Sequence, residues 1–141
     1  MPEATLRHVM TPDPIVLEAD ATVLDAARCM RDRDVGNVLV AQDGRLRGIV
    51  TDRDLVIRCL ASSERDPREQ SLAELCTGTL VTLPPDAEVS EAVRLMEENA
   101  VRRIPIVDGE HPVGIVSIGD LAIARDGGSA LAQISAAPPS E

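Results

Sequence analysis

The segment GIVTDRDL, Gly48 to Leu55, returns as GIVSIGDL, Gly114 to Leu121, at an offset of 66 residues. The offset holds without a gap back to Thr11 and pairs Thr11 with Thr77, Leu17 with Leu83, Asp20 with Asp86, Val23 with Val89, Ala26 with Ala92, Met30 with Met96, Asp54 with Asp120. The chain is an internal duplication, and whatever it folds into must be built from two similar units.

Each copy reads in the same order. A short extended stretch, Ile15 to Leu17 or Val81 to Leu83, follows a turn at Thr11-Pro12-Asp13-Pro14 or Thr77-Gly78-Thr79-Leu80. Val23, Ala26, Ala27 and Met30 recur at helical spacing, as do Val89, Ala92, Val93 and Met96, which gives one apolar helical stripe per copy. Asp20 and Asp86 precede these stripes and are expected to cap the helices. The β-rich runs Val38 to Ala41 and Ile104 to Val107 end at Asp43-Gly44 and Asp108-Gly109, which are hairpin-turn pairs. Gly48 to Thr51 and Val113 to Ser117 supply the return strands, and second helices are expected from about Asp52 to Leu60 and Gly119 to Ala124.

The spacing therefore predicts an α+β fold of two βαββα repeats, over 5–60 and 71–125, with a polar connection at 61–70. Short lead-in helices are expected at Thr5 to Met10 and Ser71 to Cys76. Residues 126–141 read as a loosely held tail with a helical turn around Ala130 to Ile134. One copy is too small to bury both faces of its sheet. Two copies packed sheet to sheet about a pseudo-two-fold axis would bury them.

Phe, Tyr and Trp are all absent, so the core must come from Val, Ile, Leu, Ala and Met. Without aromatic platforms or a basic groove, and with a net charge of -10, nucleic-acid binding is not expected. Cys29, Cys59 and Cys76 lack Cys-x-x-Cys spacing and read as reduced, small hydrophobic side chains. His8 and His111 are isolated, so no metal site is expected. No serine or cysteine nucleophile is placed by sequence beside a histidine and an acid, so no catalytic residue is assigned. Neither an apolar leader between Met1 and Met10 nor a stretch of membrane-spanning length is present, and a cytoplasmic location is expected.

The run VMTPDPIVLEADATVLDAARCM followed by GIVTDRDLVI resembles the first half of a cystathionine β-synthase (CBS) domain pair, or Bateman module. VTLPPDAEVSEAVRLMEENAVRRIPIVD followed by GIVSIGDLA resembles the second half, and the likeness extends over roughly Thr5 to Ala124. The absence of an attached catalytic or transport domain is similar to small stand-alone members, including the actinobacterial hypoxic response proteins. The resemblance implies two inter-repeat clefts for adenosine-containing ligands of the AMP, ATP, NAD or S-adenosylmethionine type, with no required cofactor. It also implies a homodimer.

On that resemblance the ligand-binding candidates are Thr51 and Asp54, with Ser117 and Asp120 as their counterparts. Arg102 and Arg103 are candidates for ligand phosphate, Arg53 is a weaker one, and the aliphatic Ile15, Val38 and Ile104 complete the set. The chemistry suits the residues. A carboxylate accepts from two ribose hydroxyls, and a Thr or Ser hydroxyl at a helix start suits a phosphate oxygen.

Two alternatives stay open. The Thr/Ser-x-x-Asp spacing is also that of a capping box, and Arg102 and Arg103 also suit solvent or an ion pair with Glu97 or Glu98. A dimeric interaction scaffold with degenerate, ligand-free clefts and an unidentified protein partner would carry the same repeat. The copies also differ in charge: Gly36-Asn37 stand where the second copy has Arg102-Arg103, so two equivalent sites are not expected.

Overall fold

The duplicated pattern forms two three-stranded sheets in a computed structural model that describes residues 4–76 and 80–125. The expected turn at Thr77 to Thr79 and the expected helical turn at Ala130 to Ile134 lie outside the described residues. The chain divides into two compact units, Pro14–Leu80 and Met1–Asp13 with Val81–Glu141.

In the Pro14–Leu80 unit, β2 (Val16–Glu18) runs parallel to β3 (Asn37–Gln42), which pairs antiparallel with β4 (Arg45–Thr51). The β3–β4 hairpin turns on Asp43 and Gly44, both at positive φ (54° and 78°), a conformation that Asp tolerates and Gly prefers. Helix α2 (Val23–Arg33) buries Val23, Ala26 and Met30 as its spacing predicts. Its cap is Thr22, not Asp20. The Thr22 hydroxyl accepts from the Asp25 N–H at 3.1 Å, and the Asp25 carboxylate accepts from the Thr22 N–H at 3.0 Å. The cap lies two residues after Asp20, which leaves that carboxylate exposed in the preceding turn. The bonds from Thr22 hold the Asp25 carboxyl below its usual range.

The connection at 61–70 is more tightly held than its polarity suggests. Carbonyls of Gln70 and Pro67 accept from Val23 N–H and Leu24 N–H, both at 2.9 Å, which satisfies two first-turn donors of α2. The Gln70 side chain is buried as a result. The lead-in that follows is a single 3-10 turn, Leu72–Leu75, whose two leucines join the cluster formed by Val23, Ala26, Met30, Val38, Val40, Val50, Leu55 and Cys59. Leu39, on the opposite face of β3, is also fully buried.

The other unit repeats this plan with β5 (Arg103–Asp108) and β6 (His111–Ser117) as its hairpin and α4 (Val89–Asn99) as its first helix. The strand expected at Val81 to Leu83 shrinks to one parallel bridge between Leu83 and Ile106. Pro84 and Pro85 follow at once and have no N–H to extend the ladder. Asp86 is not a cap either: α4 begins after Glu88 without a side-chain cap, and Asp86 pairs with Arg7 at 3.0 Å.

The first lead-in belongs to this second unit. Helix α1 (Leu6–Val9) places Leu6, fully buried, among Val89, Ala92, Met96, Ile104, Ile106, Val116 and Leu121. Leu6 N–H donates to Ala87 at 2.9 Å and Val89 N–H donates to Ala4 at 3.2 Å. The following strand β1 (Thr11–Pro12), expected as part of a turn, pairs antiparallel with β6 opposite Ile115 and Gly114. Gly114 is required there, because a Cβ would lie 2.9 Å from the Thr11 carbonyl oxygen and would run into the Met10 side chain. The sequence duplication and the packing units thus divide the chain differently: each lead-in packs with the copy that does not follow it directly. Among the described residues no helix is long and apolar enough to cross a membrane.

Because Leu6 is a core residue of the distant copy, Leu6→Ala should destabilise the protein by about 2–5 kcal/mol. Urea unfolding followed by far-UV circular dichroism measures this without aromatic fluorescence. A loss below about 0.5 kcal/mol, typical of surface positions, would place α1 outside that core.

Candidate functional site

Each hairpin ends where a helix begins, and the predicted polar residues sit at that junction. In the first copy β4 ends at Thr51, and α3 is one turn, Asp52–Asp54, continued by a π-helical segment, Leu55–Ala61. Thr51 N–H and the Thr51 hydroxyl both donate to Asp54 Oδ2, at 2.8 and 3.0 Å, and the Asp54 N–H contacts Thr51 Oγ1 at 3.2 Å. The other carboxylate oxygen, Oδ1, lies 3.7 Å from Arg58 Nε, and Arg58 also donates to the Leu75 carbonyl at 2.9 Å. The capping reading is therefore realised in full, and both Asp54 oxygens are engaged.

The second copy has the same box with fewer commitments. Strand β6 ends at Ser117 and α5 spans Ile118–Arg125. Ser117 N–H donates to Asp120 Oδ2 at 2.9 Å, and the Asp120 N–H donates to Ser117 Oγ at 3.2 Å. Among the described residues Asp120 Oδ1 has no partner, and the Ser117 hydroxyl proton is not committed to a carboxylate as that of Thr51 is. Ala124 stands at the repeat position of Arg58.

Arg103 is directly opposite Ser117 in the β5–β6 ladder, which puts both side chains on one face of the hairpin. Arg102 precedes it, and its carbonyl accepts from Ile118 N–H at 3.0 Å. Both arginines are exposed and have no ion-pair partner among the described residues. Of the open alternatives, the ion pair with Glu98 does not form, and Arg94 holds that carboxylate at 3.1 Å. Serine, aspartate and two arginines therefore gather at one strand-to-helix junction. Arg53 is exposed at the other.

Two aliphatic candidates need correction. Val38 and Ile104 have no exposed surface and lie within the hydrophobic clusters of their units, so their side chains are core and not surface groups. Their neighbours alternate outward, as strand geometry requires. Ile15 is half-buried against the first cluster.

Sequence reasoning passed over Arg58 and Ile118 and read Asp52 only as a helix start or part of a solvated acidic loop. Arg58 engages Asp54, Asp52 flanks Gly36, and Ile118 exposes 51% of its surface beside Ser117 and Arg102. The signal was available in the 66-residue offset, which pairs Asp52 with Ile118 and Arg58 with Ala124.

The three cysteines are free thiols in the first unit, packed in or against its core. Burial pushes the Cys59 and Cys76 thiols up, away from the reactive thiolate. His8 and His111 are exposed, and among the described residues no three His, Cys, Asp or Glu side chains gather as metal ligands.

Two strand-to-helix junctions on a duplicated βαββα framework make up a domain pair. The CBS domain family model matches residues 6–60 and 72–127, and the chain belongs to that family. It is 35% identical over 136 residues to the CBS domain-containing protein YhcV of Bacillus subtilis, covering 94% of this chain and 96% of that one. It is 34% identical to hypoxic response protein 1 of Mycobacterium tuberculosis, covering 84% and 82%. A crystal structure of Hypoxic Response Protein I with two coordinated zinc ions superposes with a TM-score of 0.75, at 34% identity, over 84% of this chain and 97% of that one. The CBS domain pair of protein MJ0100, in complex with 5′-methylthioadenosine and S-adenosyl-L-methionine, superposes at 0.77 over 91% of this chain and all of that one. At 22% identity that likeness is one of fold.

The thiols make a pH prediction that is unusually clean. The chain has no lysine and no tyrosine, so the cysteines are the side chains that titrate on the alkaline side. A thiol with a raised folded-state pKa binds its proton more tightly when folded. The thiol contribution to stability should be constant below the ordinary thiol range and fall as pH climbs from there towards the folded value. The urea midpoint in reducing buffer should drop above about pH 9, and less so in Cys59→Ala. A midpoint that stays flat in wild type would show the thiol proton to be indifferent to folding.

Proposed function

We propose that the chain is a regulatory sensor module, without catalytic activity or a required cofactor, that binds an adenosine-containing ligand at its strand-to-helix junctions. AMP, ATP, NAD and S-adenosylmethionine define the ligand type. The observation that carries this reading is Asp120. Its cap consumes one carboxylate oxygen and leaves the other without a partner among the described residues, beside Ser117 and facing the same side as Arg103. A carboxylate in that state accepts from vicinal ribose hydroxyls, and charge-assisted bonds of this kind are the strong ones. Ser117 and the two arginines supply donors for phosphate, and Ile118 offers the aliphatic surface that an adenine needs where no aromatic ring exists. Capping and binding use different lone pairs and coexist. The fold accommodates adenosyl compounds in the MJ0100 pair.

The module works as a cytoplasmic homodimer on this reading. The π-helical segment buries Leu55 and Cys59 in its own core but exposes Val56 (51%), Ile57 (44%) and Leu60 (65%), an apolar face suited to a second copy. Sedimentation at micromolar concentration should give twice the 15.0 kDa chain mass, and a monomer would reject the assembly. The fully satisfied box at Thr51 and Asp54 favours a second reading for the first copy, a structural junction in an interaction scaffold.

A dye-based thermal-shift panel of AMP, ADP, ATP, NADH and S-adenosylmethionine separates sensor from scaffold, since only a bound ligand raises the melting temperature. With the best ligand, Asp120→Ala should weaken binding roughly ten- to a hundredfold, the equivalent of about 1.5–3 kcal/mol. Arg102→Ala should affect phosphorylated ligands most, and its effect should shrink as salt rises. Unchanged calorimetric affinity in folded Asp54→Ala and Asp120→Ala would leave both residues as helix caps and reject the junctions as the binding site, and a panel in which no ligand raises the melting temperature would reject the sensor reading.

A further inference from the structure

We propose that the tip of the β3–β4 hairpin is a binding site for a small phosphate-type anion, separate from the strand-to-helix junctions. Arg45 and Thr51 stand at opposite ends of β4, roughly 20 Å apart along the strand, so this site does not rest on the sensor reading.

A hollow of about 540 Å³ opens at the hairpin tip, lined by Gln42, Asp43, Arg45, Leu46 and Arg47. All of these belong to one hairpin of the Pro14–Leu80 unit, and the volume suits a small molecule.

The ladder explains why two guanidinium groups converge there. Gln42 is opposite Arg45, on the same side of the sheet as Val38 and Val40 but exposed beyond the end of the core. The register then slips between Val40 and Ala41: Gly48 faces Val40, Leu46 faces Ala41, and Arg47 faces no residue of β3. An extra residue of this kind escapes strict alternation and re-aims its side chain. Arg47 turns towards Gln42 and donates to its Oε1 at 2.7 Å from Nη1. That bond anchors the guanidinium and uses one of its five donors.

Charge points the same way. Within the three strands of this sheet the one acid is Glu18, which is opposite Ala41 and therefore on the other face. Asp43 lines the hollow from the turn, so two guanidinium groups stand against one carboxylate. The chain as a whole carries a net charge of -10, and a local positive excess on it is where an anion gains.

Duplication supplies the control. The 66-residue offset places His111 and Val113 where Arg45 and Arg47 stand, with Asp108 for Gln42 and Glu110 for Gly44. The second hairpin closes with the same register slip, between Ile106 and Val107. Turn and slip therefore need no arginine, and the pair at 45 and 47 answers to something other than folding. Two forked donors of fixed charge suit a phosphate group, free or carried as an ester.

Inorganic phosphate is the probe, titrated into the full chain at constant ionic strength and followed by heteronuclear NMR of the backbone amides and arginine Nε–H groups. Wild type should show saturable shifts centred on Gly44, Arg45, Arg47 and Gly48. Arg45→Gln and Arg47→Gln should each weaken phosphate roughly tenfold or more, and Arg68→Gln, at an exposed arginine of the 61–70 connection, should leave it unchanged. Glycerol phosphate tells the two sources apart: tighter binding than phosphate assigns an ester, equal or weaker binding assigns the free anion, and both support the site. Shifts that never saturate, or that spread alike over the exposed arginines, are general ionic attraction and overturn the proposal. Saturable shifts at Arg102 and Arg103 with none at the hairpin overturn it too, as does unchanged affinity in the folded double variant Arg45→Gln, Arg47→Gln.

Discussion

The carboxylate at the third position of each second helix sets the strand-to-helix junction on which site and fold both depend. It accepts the N–H of the last strand residue, Thr51 or Ser117, while the strand residue's hydroxyl takes the helix's own N–H. That reciprocal bonding turns the chain sharply from β4 or β6 into a helix and satisfies donors that the helix cannot satisfy itself. It also presents one remaining carboxylate oxygen at a fixed place. In the first copy Arg58 claims that oxygen, and in the second nothing among the described residues does.

A core without aromatic rings has to be assembled from many small contacts. Val38, Val40 and Val50 in one sheet, and Ile104, Ile106 and Val116 in the other, are fully buried, β-branched and set on rigid strands. Such side chains lose little rotamer freedom on burial, which suits a small chain. Each sheet still needs a cover at its helix ends, and the lead-ins provide it. Leu6 and Leu72 sit at the same place in opposite units, each joined by backbone bonds to the residues that precede the first helix, so both units depend on residues remote in sequence.

Duplication keeps the backbone and frees the side chains. The bonds from residue 52 to 36 and from residue 118 to 102 are equivalent, yet the chemistry around them has diverged from carboxylate and glycine to isoleucine and arginine. In this duplicated unit one junction is internally satisfied, and in the other one carboxylate oxygen has no partner among the described residues.

The sequence by itself determined the duplication, both hairpins, the buried helical stripes and the pairing of Thr51 with Asp54 and of Ser117 with Asp120, because local periodicity and turn chemistry act over a few residues. It placed the caps at Asp20 and Asp86, two residues too early, and named as ligand contacts Val38 and Ile104, whose side chains alternation turns into the core. Only the tertiary structure decided where the lead-ins pack, that the connection at 61–70 completes the start of α2, and that Arg58 reaches Asp54 while Arg94 and not Arg102 reaches Glu98. Those outcomes follow from which of several competing partners comes closest in space, and sequence spacing carries no measure of that distance once the chain has turned back on itself.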